Sequence, residues 1–452
     1  MGNSLALLAD FYEFTMAEAY FNYRREALAT FDLFVRDMPL NRAYLVFCGL
    51  KDILSYIRSV RFSNDDLGYL KRQGIFSADF LRYLKGLRFH GDIWAMPEGE
   101  VFFPGEPVIR VSASLIEAQI IESFLLSTVN LQTMIASKAL RVVLAASGRR
   151  VYDFSLRRTH GAEAGVKVAR AAYIAGFAGT ANVLAGKIYG IPVSGTMAHS
   201  YVMSFKKELD SFLAYTSIFP RRSVLLVDTY DTIKGVANAI KIGRYLKEKG
   251  HPLLGIRLDS GDLVVLSRKA RKMLDEGGLS DVKIFASGNL DEFKIEYLLD
   301  RGAKIDSFGV GTNMGVSVDA PYLDVVYKLS EVTDEEGNFL PAMKLSRGKI
   351  TYPGRKQVYR IFDNKGMFSR DIIGLENEKI KGRPLLRRVI KEGRLVCKIP
   401  ALERTRGYAK REIALLALRY KNIHTKDKYP VEISPGLKRL AQGFRRDIKK
   451  NQ

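Results

Sequence analysis

His199, one of only five histidines in the chain, follows a strand-like run and a small-residue turn in IPVSGTMAHSYV. An imidazole there is either a core side chain satisfied by hydrogen bonds or, when neutral and oriented, a nucleophile toward a phosphoryl group. Other residues able to do chemistry recur at the same kind of place, where an apolar run gives way to polar and glycine residues. They are Arg157 and Arg158; Gly195 and Thr196 before His199; Asp228 and Asp231; Arg257, Asp259 and Asp262; Gly288 and Asn289; and Gly309, Gly311 and Thr312. Arginine forks bind carboxylate or phosphate through paired hydrogen bonds. Aspartates suit a ribose diol or Mg2+. Glycines at strand-to-helix turns leave backbone N–H groups open to a phosphate. Singly, each has a bland account: a glycine makes a turn, and an aspartate after a strand caps the next helix. Six consecutive sets form a constellation, and it calls for a substrate with phosphate, sugar and a planar or carboxylate part.

The elements that must position these residues alternate between about Arg149 and Thr312. RRVYDF leads to EAGVKVARAAYIAGF, SVLLVDTYD to TIKGVANAIKIGRYLKEKG, PLLGIRLDSGD to LVVLSRKARKMLDEGG, and VKIFASGNLD to EFKIEYLLDRGA. Continuous apolar strands alternating with amphipathic helices predict parallel strands covered by helices. Six or more such units predict an α/β fold closed into an irregular, TIM-like α/β barrel, with its site at the carboxyl ends of the strands. The flanks differ. Strand-like runs such as GDIWAMPEGEVFFPGEPVIRV before the barrel, and GKITYPGRKQVYRIF after it, predict an additional α+β domain formed by the N- and C-terminal flanks. The expected segments are 1–130, 131–325 and 326–452, the last ending in a basic helical tail.

Composition narrows the class. The 452 residues, 47% of them hydrophobic, can bury a large core and fit two domains. Cys48 and Cys397 form neither a CxxC pair nor a zinc-ligand set, which fits a reducing, cytoplasmic setting. The start lacks a basic region followed by a long apolar run, and no 18-residue apolar stretch follows, so neither a signal peptide nor a membrane partner is expected. The net charge is +22, and the tail after Pro400 carries 14 Lys+Arg against five Asp+Glu. That tail is either a solvated helical surface or an attractor of polyanions. No zinc finger, RNP motif or aromatic-basic interleaving supports a nucleic-acid partner.

At this point the residues resemble a family. LLADFYEFTMAEAY, VFCGL, PEGEVFFPGEPVIRV, DFSLRRTHG, GTANVLAG, SGTMAHS, LLVDTYDT, IRLDSGDL, SGNLDE and FGVGT occur in the order and spacing of the nicotinate phosphoribosyltransferases, and PGRKQVYR and YPVEISPGLKRL extend the match to the tail. The resemblance implies formation of nicotinate mononucleotide from nicotinate and phosphoribosyl pyrophosphate (PRPP). Mg2+ is the implied cofactor, carried by the substrate with no protein ligand assigned, and ATP is the implied co-substrate. It also implies a homodimer with a shared active site and the first helix at the interface. The shorter, decarboxylating quinolinate phosphoribosyltransferases share the barrel logic but lack GTMAHS.

The resemblance carries over to particular residues. His199 matches the family's phosphorylated histidine, and Asp228 or Asp231 is expected to hold its other ring nitrogen. Thr196 joins the nicotinate pocket. Arg257 meets the carboxylate, Arg157 flanks the ring, Phe154 stacks on it, and Tyr12 arrives from the neighbouring subunit. Gly309, Gly311 and Thr312 form a 5′-phosphate loop with Gly288 beside it, and Asp259 faces the ribose hydroxyls. Arg36, Lys344, Lys349 and Lys356 are expected at pyrophosphate or nucleotide phosphates. Ala181 stands where the nicotinamide-specific relatives carry Asp, which favours the acid over the amide. Ser155 replaces an expected Gly and Asn289 a common Asp, and TNMGVSVDAP departs from the family's usual run.

Overall fold

The structure is a computed structural model that describes residues 5–346 and 351–451. It divides into two compact units, residues 135–321 and the paired flanks 1–134 and 322–452. No helix among the described residues is long and apolar enough to cross a membrane.

The central unit is built on six parallel strands: β1 Arg150–Asp153, β2 Gly179–Thr180, β3 Val224–Leu226, β4 Gly255–Leu258, β5 Lys283–Ala286 and β6 Ser307–Val310. They lie in the order β2-β1-β6-β5-β4-β3. The registers Ser307↔Arg150, Lys283↔Gly255 and Val224↔Gly255 align strand starts, and Phe285↔Ser307 sets β6 two residues on from the start of β5. A single parallel bridge, Thr180↔Val193, extends the sheet beyond β2. Val193 at that end and Val224 at the other line one cavity, so the sheet curls around a bore. Two-residue β2 and the lone bridge make this an irregular barrel, as the alternating runs predict. Helices return the chain between strands, among them Thr232–Glu248 and Leu263–Glu276. Asp231 and Asp262 cap these two, accepting hydrogen bonds from first-turn N–H groups. The outward residues Ile256, Ile284 and Phe308 are fully buried under the helices.

The flanking unit interleaves the two chain ends, as the α+β expectation requires. A seven-stranded sheet pairs Leu28–Val35 with Val325–Thr333, and Asp92–Ala95 with Arg387–Lys391, all antiparallel. A four-stranded sheet is built on the hairpin Lys356–Phe362 and Phe368–Leu375. Between the chain ends lies a buried charge network. The fully buried Arg360 donates to Asp371 (Nη2–Oδ2 2.6 Å), to Glu100 (Nη1–Oε1 2.6 Å) and to the Val101 carbonyl (2.7 Å). Glu100 also accepts from Arg383 and from the Tyr408 hydroxyl. Each charge is desolvated, so each depends on its partners.

Lys356 corrects an expectation. It is 5% exposed, and its ammonium sits 2.7 Å from Asp32 and donates to the Tyr352 and Gly354 carbonyls. A cation so held has no donor left for a phosphate, and its work is to neutralise the buried Asp32. The outcome expected of the Arg360 network is measurable. Arg360→Met leaves Asp371 buried without its cation and Glu100 with Arg383 as its remaining one, so it should cost about 3–5 kcal/mol. Chemical denaturation followed by circular dichroism reads this as an earlier midpoint, and an unchanged midpoint contradicts it.

Candidate active site

The carboxyl ends of β1 to β6 bring most of the predicted residues to one place, and Arg257 at the end of β4 is their hub. Its Nε donates to Ser287 Oγ (2.8 Å), its Nη1 to Thr196 Oγ1 (3.1 Å) and the Met197 carbonyl (3.3 Å), and its Nη2 to Asp259 Oδ1 (2.7 Å). Ser287 closes the ring with a short hydrogen bond to the same Asp259 oxygen. Burial works against the charge on Asp259, but hydrogen bonds from Ser287 and Arg257 and the nearby His199 outweigh it. Its carboxyl is held below the ordinary range and stays ionised. The guanidinium lies 5.6 Å from the centre of the Phe154 ring, which stacks on Phe285 with centroids 5.6 Å apart.

Glycines make room for this cluster. Gly288 has φ +97°, and a Cβ there would stand 2.0 Å from the Asp259 carbonyl oxygen. A Cβ on Gly309 would stand 2.7 Å from the Phe154 ring, and one on Gly311 3.1 Å from the Phe154 carbonyl. Only hydrogen fits at Gly288, in conformation and in space. Thr312 opens a four-residue helix directly after Gly311.

His199 begins the helix His199–Met203 and is 39% exposed at its side chain. Its Nδ1 lies 3.1 Å from Thr229 Oγ1 and its Nε2 3.8 Å from Asp259 Oδ2. This corrects the expected partner. Asp228 accepts from the Asp259 N–H (2.8 Å) and from Ser260 Oγ (2.7 Å), and Asp231 caps its helix through the Lys234 N–H. Thr229, between them in the run DTYD, is the residue within reach of the ring. Asp259 Oδ1 is taken by Arg257 and Ser287, while Oδ2 stays open and lies 3.8 Å from the imidazole.

Sequence reasoning missed Asp153, Ser287 and Thr229. Asp153 is buried and accepts from Ser155 N–H (2.9 Å), Ser155 Oγ (2.5 Å) and Thr180 Oγ1 (2.7 Å), tying the end of β1 to β2. This accounts for Ser155 in place of glycine. Its side chain fits because Gly315 opposite has none: a Cβ there would come within 2.3 Å of Ser155 Cβ. Arg157 is exposed on the turn Leu156–Arg158. In the flanking unit, Tyr12 is 46% exposed on the helix Phe11–Tyr23, Arg36 pairs with Asp324 (3.1 Å), and Lys344 is exposed. Lys349 lies outside the described residues.

Comparison with known proteins places this geometry. The chain matches the nicotinate phosphoribosyltransferase N-terminal domain over residues 7–130, the family's core over 149–340 and its C-terminal domain over 379–441. A Mycobacterium tuberculosis relative named nicotinate phosphoribosyltransferase pncB2 is 46% identical over 95% of this chain and 91% of its own length. This chain belongs to the nicotinate phosphoribosyltransferase family. A Bacillus subtilis nicotinate phosphoribosyltransferase is 40% identical over 96% of this chain and 93% of its own. The crystal structure of human nicotinic acid phosphoribosyltransferase superposes with a TM-score of 0.86 at 27% identity, covering 96% of this chain and 99% of that one. A nicotinate-nucleotide pyrophosphorylase from Pyrococcus furiosus gives 0.72 at 26% identity, covering 90% and 95%. The family core spans every residue of the Arg257 cluster, whereas Lys344, Lys349 and Lys356 fall between matched segments.

Gly288 offers a direct check. Gly288→Ala should push the Asp259 carbonyl away and separate Arg257 Nη2 from Asp259 Oδ1. A crystal structure of the variant shows this, and an undisturbed pair contradicts it. Strain at the positive φ should add about 1–2 kcal/mol of destabilisation.

Proposed function

We propose that this protein is a nicotinate phosphoribosyltransferase of NAD biosynthesis, joining nicotinate to PRPP to give nicotinate mononucleotide and pyrophosphate. Family membership supports the reaction. The observation that carries the site assignment is Arg257, pinned by Ser287, Thr196 and Asp259 beside the Phe154 ring. The second N–H of Nη2 and the Thr196 hydroxyl address the ring carboxylate, and Phe154 covers the pyridine face. Ala181, exposed just after β2, sets no carboxylate against the acid, which supports nicotinate over nicotinamide.

The pyridine nitrogen attacks the anomeric carbon as its bond to pyrophosphate breaks, so no general base is required. Catalysis rests on positioning and on stabilising separated charge. Backbone N–H groups at Gly311 and Thr312 receive the 5′-phosphate. Mg2+, when bound, neutralises the departing pyrophosphate. Asp228 Oδ1 is buried without a partner and fits as acceptor for a metal-bound water.

ATP coupling in this reading runs through His199. With Nδ1 donating to Thr229, Nε2 keeps its lone pair and takes the γ-phosphoryl group. The bond to the bridging oxygen breaks, ADP leaves, and water later hydrolyses the N–P bond. A homodimer is supported by an exposed apolar run at the first helix: Leu5, Leu8, Phe11 and Tyr12 are each 46–56% exposed. The deciding assay follows nicotinate mononucleotide from nicotinate, PRPP and Mg2+, with and without ATP. Product is expected in both, with more when ATP is present. Label from [γ-32P]ATP is expected as an acid-labile, base-stable adduct that His199→Ala abolishes. Absence of product sinks the reaction, and undiminished labelling of the variant sinks the role of His199.

A further inference from the structure

Strand side chains alternate between the two faces of a sheet, and in this barrel the two faces differ in kind. The outward positions are buried and mostly apolar, among them Val151, Leu225, Ile256, Ile284 and Phe308, with Asp153 an exception. The inward positions nearest the strand starts are Arg150, Val224, Gly255, Lys283 and Ser307. Tyr152 and Phe285 form the next layer, their ring centroids 5.9 Å apart, and the Phe154 ring packs against Gly309 beyond them. A filled barrel would carry interlocking branched apolar residues there. Here the bore holds a cavity of about 1100 Å3, far more than a pyridine ring needs, open at the amino ends of the strands.

That opening is cationic. Arg149 and Arg271 are spent on structure, donating to the Ile305 carbonyl and to Asp275, Leu279 and Val282. Arg150, Arg222 and Lys304 are exposed and have no carboxylate partner among the described residues. Lys283 stands 3.8 Å from Asp306 and is 65% exposed. At its inner end the cavity reaches Val193–Thr196, and Thr196 Oγ1 is the oxygen that meets Arg257 Nη1. One hydroxyl therefore borders both the cavity and the acceptor seat.

The chemistry stacks the substrates. The anomeric carbon must lie between the pyridine nitrogen and the leaving pyrophosphate, so the donor occupies the strand-end side and the acid lies deeper. We propose that the bore is a rear entrance, through which a small aromatic carboxylate reaches Thr196 and Arg257 while the donor fills the carboxyl end. This rests on the reaction proposed above. Arg150, Arg222 and Lys304, with Lys283 beside Asp306, raise the local concentration of the anion at the mouth, and the bore leads its flat ring along Val193–Thr196.

The test uses the full-length protein at saturating PRPP. The double variant Arg150→Glu/Lys283→Glu reverses charge at the mouth without touching the Arg257 cluster. It should lower kcat/KM for nicotinate about tenfold at low salt. The gap should narrow as added salt screens the mouth, and kcat at saturating acid and KM for PRPP should hold. Independently, Ser280→Cys places a thiol on the exposed rim of the cavity. Capping it with a bulky thiosulfonate should give the same loss confined to the acid. Dithiothreitol should restore it, and wild type treated identically should not change. Wild-type kcat/KM for nicotinate in both the charge-reversed and the capped protein overturns the proposal, as does an equal loss for acid and donor. Failure of untreated wild type to form any mononucleotide is a different result, and it overturns the underlying reaction.

Discussion

An arginine proposed to bind a carboxylate at the carboxyl end of a barrel strand must be held in place without having its charge cancelled, and the cluster around Arg257 meets that requirement. Arg257 is fixed by two hydroxyls, a carbonyl and one oxygen of Asp259. Neutral partners orient the guanidinium while leaving its charge. Asp259 is the exception, and its second oxygen is directed at His199. One carboxylate thus couples the group proposed for the acid to the group proposed for the phosphoryl donor. Its depressed pKa follows, since Arg257 and Ser287 favour its ionised form more than burial opposes it.

The demand for space is met by removing side chains. Gly288 and Gly309 stand where a Cβ would strike Asp259 or Phe154, and Gly311 where it would crowd the Phe154 carbonyl. Gly315 does the same for Ser155, whose hydroxyl then secures Asp153. The glycines at the strand ends therefore have two uses. Some can free N–H groups for a phosphate, but the contacts show them first as packing devices that let aromatic and charged groups crowd into a narrow layer. The flanking unit solves a different problem, because its core holds Arg360 among three carboxylates with no solvent to share the load.

The alternation of apolar runs and amphipathic helices was enough to read the parallel strands and the irregular α/β barrel, because both periods are local. The interleaved flank sheet was legible only as a class. Its pairings, such as Leu28–Val35 with Val325–Thr333, join residues far apart in sequence, and no local pattern encodes them. At the site, residue type pointed to Arg257, Thr196 and His199, which the fold brings together. Type misled for Lys356, since a lysine beside a glycine turn reads the same whether it faces a phosphate or a buried aspartate. It misled again at DTYD, where two aspartates drew attention from Thr229. Which of three adjacent polar residues meets the imidazole depends on the turn after β3, and spacing alone does not resolve it.

The geometry around His199 also bears on the phosphorylation proposed for it. Its ring sits at a helix start, bordered by a hydroxyl on one side and a carboxylate on the other. A hydroxyl can donate or accept, so Thr229 accommodates either tautomer, whereas a second carboxylate would favour the imidazolium. An imidazolium has no lone pair to offer a phosphoryl group. In the phosphorylation proposed for His199, Thr229 rather than Asp228 at Nδ1 would leave the ring able to act as a nucleophile, and Asp259, at 3.8 Å, would stabilise positive charge as the N–P bond forms. Asp228, directed instead to the Asp259 N–H and Ser260, fixes the loop that presents Asp259. The two aspartates therefore act on the histidine in series, one holding the other, rather than as interchangeable partners.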